Sequence, residues 1–432
     1  MIKVVCRKDS NISRALAEGS ICFAEYAQSV TPNVGRFGVG FREDVRLRGI
    51  VPDIKLWDFV TIALSACAAD ESIERWHNSI DGWTRQIDLT VALCQPEIWM
   101  SQIGRIEQLL RFLTGDFWSL HFEDDGVPPP SPSRMGQYDV DCVSLLSGGM
   151  DSLIGSIDLV SEGRRPLFLS HTVRDNKEEQ IYFARCLRGA SPQFMWNRAV
   201  KSPGCISETE PSTRSRSIAF FAFAALATAV IPEDFGIRKQ IFVAENGFIS
   251  LNVPLDPARI GSLSTKTTHP VYMGMLQQLW DAVGIGIDLV LKYKFMTKGE
   301  MVAACQNQDM FRRLVWVSTS CGRFGHYNRQ HCGRCVPCLV RRAAFMKNNL
   351  EDDTKNGYHF FELDHSTDEI DVIHEDLGAM TLACAETFRS GFSGRVASYF
   401  AFADAQERSG YQGVYERGLI EVRDFLQAKG VL

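Results

Sequence analysis

Between Asp139 and Glu245, strand-like apolar runs alternate with segments of helical period, and few architectures accommodate that alternation. Asp139–Leu146, Arg165–His171, Gln193–Trp196 and Gln240–Glu245 read as strands, and Ser152–Ser161, Lys177–Cys186 and Ser215–Val230 read as helices. Helices inserted between successive strands imply a parallel, doubly wound α/β sheet, which binds ligands outside the carboxyl ends of its strands. The apolar, alanine-rich Ile218–Ile231 run is flanked by Arg216 and Pro232, so a buried core helix is expected there.

The first strand of this series runs straight into Ser147-Gly148-Gly149-Met150-Asp151-Ser152 and then a helix. Backbone N–H groups and the positive end of a helix dipole attract phosphate at such a junction, and two glycines let an anion approach closely. Ser147 and Ser152 add hydroxyl donors. Asp151 would repel phosphate, so it suits either a magnesium partner or an anchor for the loop. The Gly-Lys-Ser/Thr ending of a Walker A loop is missing, which counts against a kinase or GTPase. A plain glycine–serine turn capping the helix is the simpler alternative.

The sequence holds thirteen cysteines, of which Cys321, Cys332, Cys335 and Cys338 are grouped. Cys332-Gly-Arg-Cys335-Val-Pro-Cys338 wraps short loops around soft ligands, and four thiolates suit a closed, structural zinc site with no position for a reactive water. An iron–sulfur cluster is the rival, since four cysteines hold one equally well. His326 and His331 lie beside the group and are read as bystanders. The remaining nine cysteines are scattered, as in a chain whose thiols stay reduced.

Val127–Arg134, VPPPSPSR, cannot form a helix or a central strand and marks a linker. Three regions follow: 1–134, a small α+β domain with strands at Ile2–Cys6 and Gln86–Leu93 and helices at Lys55–Ala69 and Trp99–Leu113; 135–350, the α/β domain with its cysteine element; and 351–432, a helical region including Glu375–Ser390 and Arg395–Arg408. With 432 residues, 45% hydrophobic and 23% charged, the chain has the composition of a globular protein. A formal charge of −6 gives no general attraction to nucleic acid, so direct nucleic-acid binding is not expected. No long uncharged apolar run or secretory leader is visible, so no membrane partner and a cytoplasmic location are expected.

Taken in order, Ser147–Ser152, Arg214-Ser215-Arg216-Ser217, Met296-Thr297-Lys298-Gly299-Glu300 and Cys321 with the CGxCxxC run resemble the motifs of QueC-like PP-loop ATP pyrophosphatases. The resemblance covers about residues 139 to 346. It implies a PP-loop (adenine nucleotide alpha hydrolase-like) domain with ATP, Mg2+ and Zn2+, in which Ser147, Gly148, Gly149, Asp151 and Ser152 hold the ATP phosphates and magnesium. Asp151, Arg216 and Lys298 are then the catalytic candidates, the two cations as clamps on leaving pyrophosphate. Glu245 and Asn246, at a strand end, are candidates for the donor edge of a deazaguanine.

QueC proper is close to the length of the central domain alone, whereas this chain adds a region on either side; extended QueC-like proteins occur in bacterial anti-phage operons, and the chain resembles the QatC group most. That likeness implies adenylation of a 7-carboxy-7-deazaguanine-type carboxylate, then transfer to an amine on a partner protein of the same operon, QatB-like, by an ATP-dependent carbon–nitrogen ligase. The alternatives are a 7-cyano-7-deazaguanine synthase using ammonia, a PP-loop tRNA-modifying enzyme, and a non-catalytic nucleotide-binding subunit of a defence complex.

Overall fold

A computed structural model describes the whole chain apart from residues 172–175, 190–191, 235, 256–265, 364–375, 392–395 and 397–403. It contains two five-stranded sheets, β3-β2-β1-β4-β5 and β10-β9-β6-β7-β8, whose pairings are all parallel. The first is built from β1 (Ile2–Arg7), β2 (Ile21–Glu25), β3 (Gly35–Phe37), β4 (Gln86–Ala92) and β5 (Phe117–Glu123), and the second from β6 (Cys142–Leu145), β7 (Pro166–His171), β8 (Gln193–Trp196), β9 (Lys239–Phe242) and β10 (Ile287–Val290). The N-terminal α+β expectation is therefore corrected: a wholly parallel sheet needs crossover connections, so this unit is α/β. Both sheets place their first strand in the centre and share one strand order.

The N-terminal unit supplies helices α1 (Val39–Leu47), α2 (Ile54–Ser72) and α3 (Ile103–Thr114). Asp53 caps α2 by accepting from Lys55 N at 2.7 Å, and from Leu56 to Asp70 every residue of this helix is buried. A helix with no polar face belongs in the middle of a protein. Here it packs on its own sheet and against α6 (Arg216–Ala227), the expected apolar core helix, while α3 packs against α8 (Pro270–Ala282). One hydrophobic core therefore runs through both units, joining Phe59, Ile62 and Trp99 to Phe221, Phe223, Tyr272 and Trp280.

The proline segment does not hang free between the units. Trp57 Nε1 donates to Val127 O at 2.7 Å, and Tyr138 Oη donates to Arg48 O at 2.7 Å. Inside the N-terminal unit, Asp70, Asp116 and Arg85 are fully buried together and Arg75 nearly so. Burial favours neutral Asp116, but Arg85 and Arg75 outweigh it and hold its carboxyl below the usual range.

On the far face of the second sheet lie α4 (Met150–Ser161) and α5 (Lys177–Arg188), with α9 (Lys298–Ala304) and α10 (Val336–Lys347) beyond. A short helix α7 (Gly247–Leu251) follows β9. The C-terminal region contributes α11 (Asp376–Ser390) and α12 (Ala405–Ala428), which pack on α7 and α10 in a second core. Much of the expected Arg395–Arg408 helix lies outside the described residues, and α12 begins at Ala405. No described helix is long and apolar enough to cross a membrane.

Candidate active site

The chain leaves β6 for β7 and β8 on one side, then returns to β9 and β10 on the other, so the strand order reverses between β6 and β9. Such a switch point opens a crevice at the carboxyl ends of its two strands. Ser147–Ser152 leaves β6 at this crevice, and Glu245 and Asn246 follow β9. Gly155, one turn into α4, lets the helix lie against the end of β9: a Cβ there would sit 2.3 Å from Ala244 Cβ.

Gly148 has φ +87°, a left-handed conformation that costs glycine little. Ser147 Oγ and Ser152 Oγ lie 3.1 Å apart, Gly149 N donates to Ser147 Oγ at 3.3 Å, and Ser152 Oγ bonds Gly149 O at 3.0 Å. Gln180 Nε2 on α5 donates to Ser147 O at 3.1 Å and His171 O at 3.3 Å, joining the ends of β6 and β7. Ser147 remains exposed.

Asp151 is buried in the first turn of α4, with both oxygens engaged. Lys298 Nζ donates to Oδ1, and Asn246 Nδ2 donates to Oδ2 at 2.7 Å. Burial raises the affinity of this carboxyl for a proton, yet Lys298, Glu245 and Asn246 together hold it below the usual carboxylate range. Partly covered Glu245 moves the other way, pushed well up by burial and then by the Asp151 charge. Protein donors on both oxygens are what the loop-anchor reading of Asp151 expects.

Two further candidates lie in the same group. Lys298, expected to clamp pyrophosphate, is the counterion of this buried carboxylate. Asn246 was expected at a substrate edge, yet it is fully buried: its Oδ1 caps α7 by accepting from Ile249 N at 2.9 Å while its amide holds Asp151. Arg216 is exposed at the start of α6, beside Arg198 and His171 rather than Lys298.

The C-terminal region braces these partners. Fully buried Thr297 is the N-cap of α9, and its hydroxyl donates to Glu421 of α12. The same carboxylate accepts from Gly299 N at 3.2 Å and Lys347 Nζ at 2.6 Å. Lys298 is thereby fixed at the head of its helix from both sides.

Cys321, Cys332, Cys335 and Cys338 are all buried, and their sulfurs lie within 4.8 Å of one another. Backbone amides of Arg323, Cys332 and Cys335 each approach a cluster sulfur at 3.3 Å. Four thiolates this close repel unless a cation sits among them, and this donor set suits a metal ion such as zinc. His331 takes no place in the set: its Nε2 accepts from Ser320 N at 3.1 Å, and burial lowers its pKa to about 3. His326 is likewise not grouped with the sulfurs.

This knuckle abuts the loop. Thr319 N donates to Gly148 O at 2.9 Å, and a side chain on Gly149 would come within 3.3 Å of Thr319 O. Fully buried Arg341 on α10 binds Ser318 Oγ at 2.7 Å and Val315 O at 3.0 Å, fixing the strand of chain that carries Thr319. Arg329 reaches across to Glu178 and Glu179 of α5. Sequence reasoning passed over Thr319, Gln180, His171 and Arg198. The last two could have been found, since each lies at or just beyond the carboxyl end of an expected strand.

No protein-family model matches the chain, and no curated protein matches it. Fold and site define the chain as a mixed α/β protein of two parallel sheets with a buried four-cysteine cluster.

Proposed function

We propose that the chain is a QueC-like PP-loop enzyme that adenylates the carboxylate of a 7-carboxy-7-deazaguanine-type substrate, cleaving ATP to AMP and pyrophosphate. One observation carries this reading: a glycine–serine loop heads the central strand of a parallel sheet at its switch point, with its aspartate turned inward as an anchor. Turning Asp151 away from the loop leaves the backbone amides at the head of α4 and the exposed Ser147 hydroxyl to meet an anion, with Ser152 bracing the turn.

In the reaction, a substrate carboxylate oxygen attacks the α-phosphorus and pyrophosphate departs, leaving an acyl-adenylate. An amine nitrogen then attacks the acyl carbon, loses a proton and displaces AMP. Position and charge do most of the work, since the carboxylate is already nucleophilic and AMP is a good leaving group. Arg216 and the head of α4 stabilise negative charge building on pyrophosphate. Magnesium would accompany the ATP phosphates, and zinc held by Cys321, Cys332, Cys335 and Cys338 would serve structure. Glu245, partly covered beside Asp151, would meet a purine-like edge of the substrate.

Similarity to the QatC group supports an acceptor amine on a QatB-like partner of an anti-phage operon. The test combines the protein with ATP, magnesium and 7-carboxy-7-deazaguanine, with and without the neighbouring operon proteins. Nucleotide products are identified and every species is weighed. AMP and pyrophosphate with a mass increase on a partner are expected. ADP and phosphate would overturn the adenylation chemistry, and free nitrile formed only with ammonia would make the protein a 7-cyano-7-deazaguanine synthase.

A further inference from the structure

The connection from α2 to β4, residues 73–85, turns large apolar side chains outward. Ile80 is fully exposed at 102%, Trp76 is 73% and Trp83 39% exposed, and Phe117 at the start of β5 is 47% exposed. Single apolar residues on a surface are ordinary, but a group of them marks a contact surface. Ile80 and Phe117, with Ile2, His77 and Asp81, line one open groove of about 620 Å3 at the amino ends of the N-terminal sheet. Trp76 belongs to the same loop and lies over Gly82, where a Cβ would sit 3.2 Å from its ring.

The loop is held firmly in this outward form. Arg75 turns inward and donates to buried Asp116 at 2.6 Å and to Trp83 O at 3.0 Å, while Arg85 N donates to the same carboxylate at 2.9 Å. Asp81 accepts from Trp83 N at 2.9 Å and from Thr84 N at 2.6 Å. Glu74 caps the short helix Arg75–Asn78, accepting from Trp76 N at 2.7 Å and His77 N at 2.9 Å. An apolar tip fixed in advance loses little freedom when a partner covers it, so its burial is available for affinity.

Charge is divided between the two walls of the groove. On the loop wall, His77 Nδ1 lies 3.0 Å from Glu74 and 3.5 Å from exposed Glu208, and Asp81 adds a third carboxylate. On the β5 wall, the guanidinium of exposed Arg111 stacks 4.3 Å over the Phe117 ring. A two-fold axis would set the acidic wall of one copy against the Arg111 wall of another, the self-complementarity an isologous contact requires. An aromatic side chain offers roughly 150 to 250 Å2, so the exposed fractions of these four residues supply about 500 Å2 of apolar surface. That is a sufficient centre for an interface of about 800 Å2 per partner. We infer that the 76–84 loop and the start of β5 form the contact surface of a symmetric dimer of this chain, with the acidic wall of each copy against Arg111 of the other.

Sedimentation velocity of the full-length, metal-replete protein over a micromolar concentration series tests it, and a concentration-dependent dimer is expected. Ile80→Asp and Trp76→Ala should each raise the dimer Kd about tenfold or more, since aromatic and apolar anchors dominate such contacts. Far-UV circular dichroism and melting temperature should stay as in wild type for Ile80→Asp, whose side chain is fully exposed in the single chain. Arg111→Glu should also weaken the dimer, and adding Glu208→Lys should recover part of that loss, because the reversed charges meet across the axis. A wild type that stays monomeric overturns the inference. So does a dimer that Ile80→Asp and Trp76→Ala leave unchanged, or an Arg111→Glu loss that Glu208→Lys does not relieve. A monomer that instead holds a neighbouring operon protein through this loop, with Ile80→Asp releasing it, overturns the second copy as occupant.

Discussion

Thr319 N donates to Gly148 O at 2.9 Å, so the outermost peptide of the glycine loop is held by a residue two positions before the first cysteine of the cluster. The cysteine knuckle and the glycine loop thus share a hydrogen bond. Removing the metal should therefore disturb the loop as well as the knuckle. Structural zinc contributes on the order of 10 kcal/mol in small domains, so Cys335→Ser should give insoluble or unstable protein. Metal analysis should find one zinc per chain, and iron with inorganic sulfide would contradict that. Mild chelation should raise hydrogen exchange at residues 147–152 in parallel with residues 319–338.

The Asp151–Lys298 pair sets the second expectation. Lys298→Met leaves a buried carboxylate without its counterion and should cost about 3 to 5 kcal/mol. Asp151→Ala removes the loop's anchor and should cost about a hundredfold to a thousandfold in ATP turnover. Urea unfolding and single-turnover assays separate the two effects.

Glu245 gives a pH signature of its own. Its folded pKa is raised above the unfolded value of about 4.3, so the folded state holds a proton that the unfolded state has lost, and its contribution to stability falls as pH rises from about 4.3 towards the folded value. Asp151 runs oppositely: depressed in the folded state, it contributes above its unfolded pKa of about 3.9 and loses that contribution as pH falls through the folded value. Glu245→Gln should raise the melting temperature at pH 7 and flatten its dependence above pH about 4.3. A melting curve unchanged by the substitution would contradict this.

Glu421, on a helix more than a hundred residues further along the chain, accepts from Thr297 and Gly299 at the head of α9, and it also accepts from Lys347 at the end of α10. Glu421→Ala should destabilise the protein by about 1 to 3 kcal/mol for each buried donor left unpaired, although it touches neither loop nor cysteine. Because Lys298 starts the same helix, turnover should fall further than stability at temperatures where the variant remains folded.

How far the sequence revealed this arrangement depended on how locally each part is encoded. The cysteine cluster and the glycine loop were legible because their residues are neighbours in the chain, and β8 was read to the residue. The N-terminal sheet was misjudged because parallel pairing leaves no mark on a single strand, and two of its five strands were seen. Phe117–Glu123 does carry an alternating signal, with Trp118, Leu120 and Phe122 buried between more exposed neighbours, and it was missed. β3 is three residues long and offers no period at all. The Glu71–Arg198 pair was out of reach, since its members come from different units and meet through an irregular connection.

The burial of α2 on every side also bears on how the chain is made. Its final covers, α6 and α8, end at Ala227 and Ala282, well after Ser72. At about 5 to 20 residues per second, a ribosome leaves that helix partly uncovered for roughly ten to forty seconds. The newborn N-terminal half therefore exposes apolar surface until its partner helices emerge, and slower growth at low temperature with chaperone supply should raise the yield of this protein more than it would for a chain whose first half closes its own core.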